Sequence, residues 1–335
     1  MYHLAGAPSA PDGGYDADIV ILSLDRADET IAAIASSLAQ RGCTRHVWVV
    51  DQGSSMASLR RLIAAVAGRE DATLVALSRN HGVAGGRNHG SAMGHGRVII
   101  ALDNDAEFAA PDTAASMIAA LDTDPALAVI GCRIVAFDGG GDDLSSWGYP
   151  AALLPHAAEA FESVTYVGAG HAIRRAAWDD AGGYDGALFF CWEEYDFALR
   201  AIARGWRLRY RGDIVIRHKV AAEHRVRWPG HRWYYFVRNR LYIGRKHGDS
   251  WLSLAPRAAG YFVRGLRNGL ALDTARAVIA AARMVPPAPL EPLPRPALEY
   301  LRRHDTAWRG SWFARLGREV CALLPEPPPL PRQQR

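Results

Sequence analysis

Three acidic side chains fall within five positions in LDNDAEF, Leu102–Phe108, directly after the apolar run VIIA. Carboxylates at the mouth of a buried strand repel one another and cost stability unless positive charge sits among them. A solvated acidic loop is one account. The other is a divalent cation. Asp103 and Asp105 form a DxD whose carboxylates face one side if the segment stays extended, and a hard cation such as Mg²⁺ is usually held by one or two carboxylates, with phosphate and water completing its shell. An EF-hand is excluded, because Phe108 stands where the sixth loop position needs glycine.

A second acidic group, Glu193, Glu194 and Asp196 in CWEEYDFALR, opens a helical stretch. These acids either favour the helix dipole, by a few tenths to about 1 kcal/mol each, or include a general base whose pKa its neighbours raise. Asp25 follows DIVILSL and Asp51 ends HVWVVD. A single Asp at such a place is commonly a turn or cap residue. Several on one edge of a sheet favour a ligand site, since open α/β sheets bind ligands at their strand C-termini. The loop LSRNHGVAGGRNHG has glycines at 82, 85, 86 and 90, which fits neither GxGxxG nor GxxxxGK[ST]. Its glycines either present amides to phosphate or relieve a tight turn.

These residues need a scaffold that gathers strand ends. From Asp18 the chain alternates apolar strands with amphipathic helices: DIVILSL, ADETIAAIASSLAQRG, HVWVVD, SMASLRRLIAAVAG, ATLVALS, RNHGSAMGHG and RVIIALD. Such alternation predicts a parallel α/β sheet with right-handed crossovers. Residues 111–220 continue less regularly. A helix is expected at Thr113–Leu121, then strands ALAVIGCRIV and SVTYVGAG, a helix from Arg174, the helix WEEYDFALRAIARG, and strands WRLRYRG and IVIRHK.

The 335 residues are 49% hydrophobic and 22% charged, an ordinary soluble composition. No apolar run approaches the roughly 20 residues of a membrane span. Residues 1–17 lack a basic segment followed by an apolar one, so a flexible tail is expected there. Cys43, Cys132, Cys191 and Cys321 are scattered without a CxxC, which argues against zinc or a disulfide framework and points to the cytoplasm. Charge is uneven. From Arg200 onward there are 27 Lys+Arg and 9 Asp+Glu, a net of +18, against 12 and 26 before it, a net of −14. The second half is therefore expected to meet something anionic.

The series DR at 25–26, VVDQGS, NHGVAGGRNHG, LDNDAEF, VGAG, GGYDGALFFCWEEYDFALRAIARGW and IRH resembles a family 2 glycosyltransferase of the GT-A fold, over roughly residues 18–220. WYYFVRNRLYIGRKHG further resembles the rhamnosyltransferase-like, bacterial cell-surface polysaccharide branch. The resemblance implies a Rossmann-like, mostly parallel sheet flanked by helices. It divides the catalytic domain into a nucleotide-binding half, 18–110, and an acceptor-binding half, 111–220. A basic helical region, 221–325, and a Pro-rich tail, 326–335, follow. It implies that Asp25, Arg26 and Asp51 contact the base and ribose of the donor. Asn80, Gly85, Gly86 and Arg87 would lie beside base and diphosphate. Asp103 and Asn104 would approach the ribose, and Asp105 would be the principal ligand of Mg²⁺ or Mn²⁺, with Asp103 and His218 completing the site. Gly168, Ala169, Gly170 and Trp192 would line the acceptor side. Glu193 would be the catalytic base, with Glu194 or Asp196 placing the acceptor or structuring the site. SLDR departs from the commoner opening of the family, and GGGDDLSSWGYP matches nothing assigned.

The implied reaction is an inverting, metal-dependent transfer of a sugar, rhamnose first, from a UDP- or dTDP-sugar to a glycan or polyprenyl-diphosphate-linked glycan. A sugar-1-phosphate nucleotidyltransferase is the nearest rival. It would show a glycine-rich run with a basic residue after the first strand, and DIVILSLDRADET has none. A non-catalytic sugar-nucleotide-binding assembly partner would be indifferent to Glu193→Gln.

In the basic half, RAAGYFVRGLRNGLALDTARAVIAAAR places Phe262, Leu266, Leu270 and Val278 near one helical face, and LEYLRRHDTAWRGSWFARLGREVCALL adds Trp308, Trp312 and Phe313. This region either packs as a helical appendage or makes a peripheral contact with the anionic inner face of the plasma membrane, where a lipid-linked acceptor would be delivered. RVRWPGHRWYYFVRNR mixes arginine and aromatics but has no RNP or helix-turn-helix pattern, so nucleic acid is not expected.

Overall fold

A computed structural model describes residues 1–139, 141–219, 231–286, 292–311 and 324. The Val- and Ile-rich runs form its centre because their side chains are apolar on both faces and need cover above and below. In chain order the first half comprises β1 (Tyr2–Gly6), β2 (Ala17–Ser23), α1 (Ala27–Leu38), β3 (Arg45–Asp51), α2 (Met56–Val66), β4 (Ala72–Ala76), α3 (Gly82–Met93), β5 (Val98–Leu102) and β6 (Ala106–Phe108). It continues with α4 (Thr113–Asp122), β7 (Leu127–Ala136), β8 (Ala160–Ser163), β9 (Gly170–Arg174), α5 (Arg175–Ala181), α6 (Glu193–Ala203) and β10 (Arg207–His218).

The strands form one ten-stranded sheet in the order β1-β4-β3-β2-β5-β9-β7-β10-β6, with β8 also on β10. β4, β3, β2 and β5 run parallel, in a register that sets Ile19 beside Val47 and Ile100. Their C-terminal ends therefore share one edge. β9 enters antiparallel between β5 and β7, and β7 again runs parallel to β10.

Alternation divides the side chains between two layers. Ile19, Ile21, Val47, Val49, Leu74, Ile100 and Leu102 pack with Ile34 of α1, Leu62 and Val66 of α2, and Met117 and Leu121 of α4. Full burial of such a side chain contributes about 1.5–3 kcal/mol. Val50, Val75 and Leu77 form a separate cluster with Met93 of α3. Further along, Trp178 of α5 and Phe197 of α6 close around Tyr184, with ring centroids 4.9 and 5.8 Å away.

Two polar residues inside this core are satisfied locally. Asp18, fully buried, accepts from Trp48 Nε1 (2.7 Å), the Gly96 amide (2.8 Å) and Arg175 Nη2 (2.6 Å). Gln40 bridges α1 to the start of α4 through the Ala114 amide (2.9 Å) and the Ala110 carbonyl (2.9 Å).

Contacts divide the chain into two units: 1–189 with 193–219, and 190–192 with the residues from 220 onward. The second unit contains α7 (Trp233–Lys246), α8 (Trp251–Arg267), α9 (Ala271–Arg283) and α10 (Arg295–His304). Trp233, Val237, Leu241, Leu254, Tyr261, Leu270, Ala277 and Ala281 make its own core. Buried Asn239 of α7 donates to the carbonyls of Phe190 and Cys191, each at 2.8 Å.

Several local expectations change. Residues 2–6, within the expected flexible tail, are an edge strand held by antiparallel pairing with β4. Main-chain pairing needs little apolar patterning, so the segment carried no strand signature. SVTYVGAG is not one strand: β8 ends at Ser163 and β9 begins at Gly170. WRLRYRG and IVIRHK are a single β10 with an irregularity between Arg211 and Val215. Leu270 is buried whereas Phe262 and Leu266 are exposed, so the apolar face expected on this helical stretch divides between core and surface. Trp312, Phe313, all of 326–335, and the 225–230 part of RVRWPGHRWYYFVRNR lie outside the described residues.

Candidate active site

β6 pairs antiparallel with the end of β10, with Ala106 opposite His218, and the Lys219 amide donates to the Asp105 carbonyl at 2.7 Å. This pairing brings the residue just before β6 beside the last residue of β10. His218 Nε2 lies 3.4 Å from Asp105 Oδ1. Asp103 joins from the end of β5, its amide bonded to the Ala169 carbonyl at 3.1 Å. One ligand atom from each of Asp103, Asp105 and His218 lies within 4.8 Å of the others. Two carboxylate oxygens and an imidazole nitrogen form a donor set that fits Mg²⁺ or Mn²⁺. These acids are not isolated charges awaiting a metal, however. Arg26 Nη1 reaches Asp105 Oδ2 at 3.0 Å, and Arg87 Nη2 reaches Asp103 Oδ1 at 2.6 Å. Burial would raise the Asp105 pKa, but His218 and Arg26 outweigh it and hold the carboxyl below its ordinary value. For Asp103, crowding by protein wins over Arg87 and the pKa rises.

The loop without an assignment, GGGDDLSSWGYP, supplies a residue that sequence reasoning missed. Asp143, 7% exposed, accepts from His218 Nδ1 at 2.9 Å and from the Ser145 amide at 3.0 Å. Burial alone would lower the His218 pKa; hydrogen bonds to Asp105 and Asp143 bring it up to about 10. Asp143 itself is driven well below the usual carboxylate range, its burial outweighed by His218, Ser145 and Ser146. DDLSS was the only signal available, and its partner stands 75 positions away.

α6 provides the second acidic group. Glu193, 3% exposed, occupies its first turn, and its Oε2 has no hydrogen-bond partner among the described residues. Burial, then the neighbouring Glu194, raises its pKa well above the ordinary value. Glu194 is raised too, chiefly by burial, with Arg87 opposing. Asp196 is fully buried and accepts from Arg200 at 2.9 Å, so it is bound to its own helix. Arg87 joins the two acidic groups. Its side chain is 2% exposed, its Nη2 also donates to the Gly168 carbonyl at 2.7 Å, and its Nη1 stands 3.9 Å from Glu194. A Cβ on Gly168 would lie 2.4 Å from Glu194 Oε1, so glycine permits this approach. Ala169 and Gly170 continue from it into β9, with Ala169 and Gly170 both buried.

Asp25, Arg26, Asp51, Asn80 and Asn104 lie at or just past the C-terminal ends of β2, β3, β4 and β5. Asp25 and Arg26 both have left-handed backbones (φ 56° and 55°). Asp25 is exposed and ties the end of β2 to the loop after β3, accepting from the Ser55 amide at 2.8 Å. Asp51 is buried and accepts from the Gly53 amide at 3.0 Å. Asn80 caps the Gly82 amide at 2.7 Å, and Asn104 donates to Thr30 at 3.3 Å. Gly85 and Gly86 lie in the first turns of α3. A Cβ on Gly86 would come within 2.7 Å of the Gln52 amide, so close packing already accounts for that glycine. Trp192 belongs to the second unit, where its indole donates to the Phe236 carbonyl at 3.0 Å. Cys43, Cys132 and Cys191 form no disulfide among the described residues.

Residues 18–182 match the family model described as glycosyl transferase family 2. The succinoglycan biosynthesis protein ExoO of Rhizobium meliloti (strain 1021) is 38% identical over 133 residues, which are 39% of this chain and 37% of that protein. The matched stretch is thus little more than a third of that relative's length. Among solved structures, GalNAc-T7 with UDP, GalNAc and Mn²⁺ aligns with a TM-score of 0.57 at 16% identity, over 80% of this chain and 55% of that one. The mannosyltransferase PcManGT from Pyrobaculum calidifontis, in complex with GDP-Man and Mn²⁺, aligns over 94% of this chain and 85% of that one at 18% identity and a TM-score of 0.49. The fold is that of the GT-A glycosyltransferases, and residues 18–182 are similar to glycosyl transferase family 2.

Proposed function

We propose that this enzyme transfers a sugar from a UDP- or dTDP-sugar to a glycan or polyprenyl-diphosphate-linked glycan, inverting the anomeric centre, in the assembly of a cell-surface polysaccharide. The observation that carries the proposal is the link between the two acidic groups. Asp103, Asp105 and His218 converge on a point suited to a cation, and Arg87 connects Asp103 to the α6 acids beside Glu193. The resemblance to ExoO supports polysaccharide assembly. The resemblance of residues 233–248 to rhamnosyltransferases supports rhamnose as the sugar.

In the reaction, the acceptor hydroxyl gives its proton to the Glu193 carboxylate as its oxygen attacks the anomeric carbon. The new C–O bond forms on the face opposite the nucleoside diphosphate, and the bond to that diphosphate breaks. Asp103, Asp105 and His218 would hold a divalent cation, which would supply charge neutralisation for the departing diphosphate. Arg26 and Arg87 place the aspartates, and Arg26 helps His218 hold Asp105 ionised. Asp25, Asp51 and Asn80 line the strand-end edge where base and ribose would lie. Gly168–Gly170 and Glu194 form the acceptor side.

Glu193→Gln tests this directly. Thermal stabilisation by UDP- or dTDP-sugar with Mn²⁺ is expected to persist, while transfer falls by about 10²–10⁴-fold. An unchanged transfer rate would favour a sugar-nucleotide-binding assembly partner instead.

A further inference from the structure

α8 turns an apolar line outward. It buries Leu254, Tyr261 and Gly265 against its own unit. Leu252, Pro256, Ala259, Val263 and Leu266 recur at alternating steps of four and three residues on a different face, and Phe262 stands beside them. At the α-helical rise these positions form one line about 21 Å long. The side chains are open to solvent: Leu252 85%, Leu266 69%, Val263 46% and Phe262 37% exposed. Helical geometry places Arg267 beside the line and Arg257 and Arg264 farther round on the same side, Arg264 with its guanidinium over the Trp233 ring at 5.9 Å, and α8 has no acidic residue. On α9, Leu272 (64%) and Ile279 (51%) are exposed as well.

Charge selects the occupant. Residues 231–286 hold ten Lys+Arg and two Asp, a net of +8. A second copy of this face would oppose like charges. An anionic lipid surface complements them and accepts the apolar line between its headgroups, the arrangement of an interfacial helix. No helix among the described residues is long and apolar enough to cross a membrane, so the contact lies in the plane of the surface.

We infer that the Leu252–Leu266 face of α8 docks on an anionic bilayer. This deepens the lipid-linked acceptor proposal and rests on it for its purpose, although the docking itself needs neither donor nor acceptor.

The full chain is sedimented with vesicles of phosphatidylglycerol and phosphatidylcholine, and with phosphatidylcholine alone. Pelleting is expected with the anionic vesicles only, and is expected to weaken with salt. Leu252→Ser/Leu266→Ser is expected to lower partitioning at least about tenfold, and Arg257→Gln/Arg267→Gln to remove the preference for anionic lipid. All four side chains reach the surface, so circular dichroism of both variants should match the parent. Three results would overturn the inference: a parent protein that stays in the supernatant, a double-leucine variant that pellets as the parent does, or lipid-free self-association that the same variant abolishes. Donor-induced thermal stabilisation, measured without lipid, reports separately on the glycosyl-transfer proposal.

Discussion

Replacing Arg87 with methionine distinguishes two roles for this residue. As a donor contact, it would lower sugar-nucleotide affinity and leave the donor-free protein as stable as before. In the structure it is instead a buried counter-ion, 2% exposed, bonded to Asp103 at 2.6 Å and 3.9 Å from Glu194. Unit charges about 4 Å apart attract by about 4 kcal/mol at an effective dielectric of about 20. Removing one partner of a buried pair costs about 3–5 kcal/mol. The Asp103 side chain keeps 39% of its exposure, so solvent screens its share. We therefore expect about 3 kcal/mol, or a fall in Tm of roughly 6–12 °C for a unit of this size.

The pH dependence of that loss follows from the carboxyls left behind. Asp103, Glu193 and Glu194 have folded-state pKa values raised by burial. Each therefore contributes stability that is present below its unfolded pKa and lost as pH rises through its folded value. Without Arg87 all three rise further. The deficit of Arg87→Met should be greatest at neutral and alkaline pH and shrink as the carboxyls protonate toward about pH 5. Differential scanning calorimetry without donor, at several pH values, measures it. An unchanged Tm, or a deficit that grows on acidification, would refute the counter-ion role.

Two more outcomes follow from the same geometry. Asp143→Asn weakens the hydrogen bond that orients His218 and should lower Mn²⁺ affinity about 10–100-fold, the usual effect of losing such a supporting partner; calorimetric titration of the donor-free protein that finds parental affinity would remove Asp143 from the site. The transfer rate should rise with pH along a limb displaced upward from the ordinary glutamate value of about 4.3, because burial and Glu194 keep Glu193 protonated at lower pH. Glu193→Gln should erase that limb, and a limb that survives the change would assign the base elsewhere.

The parts of the site legible in the sequence were those that the backbone pattern alone brings together. Parallel strands of matched length must end on one edge, so Asp51, Asp103 and Asp105 could be gathered from type and spacing. His218 could be reached only through resemblance, since its place depends on the short β6 pairing with the end of β10. Asp143 was not legible, because a loop bond across 75 positions leaves no local period. Arg87, like His218, was named through resemblance alone, and its surroundings were not legible. Which anion a buried guanidinium meets is decided by helix packing, here the approach of α6 past Gly168. The face of α8 was misjudged for a related reason: periodicity locates apolar stripes, but neighbours decide which one is covered.

The two acidic groups are separated more by their surroundings than by their chemistry. Asp105 is held ionised by His218 and then Arg26, and a cation bound at His218 would replace that residue's proton. Glu193 is buried, has an adjacent carboxyl and one oxygen without a hydrogen-bond partner among the described residues, and is biased toward its protonated form. Carboxyls pushed apart in this way suit different tasks. An ionised carboxylate is what a divalent cation requires, and one with raised proton affinity is what a deprotonating base requires. Arg87 keeps the groups from merging into one mutually repelling cluster by sharing its charge between Asp103 and Glu194. Its removal should therefore impair both tasks together, whereas Glu193→Gln should spare metal and donor binding. That difference between the two variants is what a divided site requires and a single acidic patch would not produce.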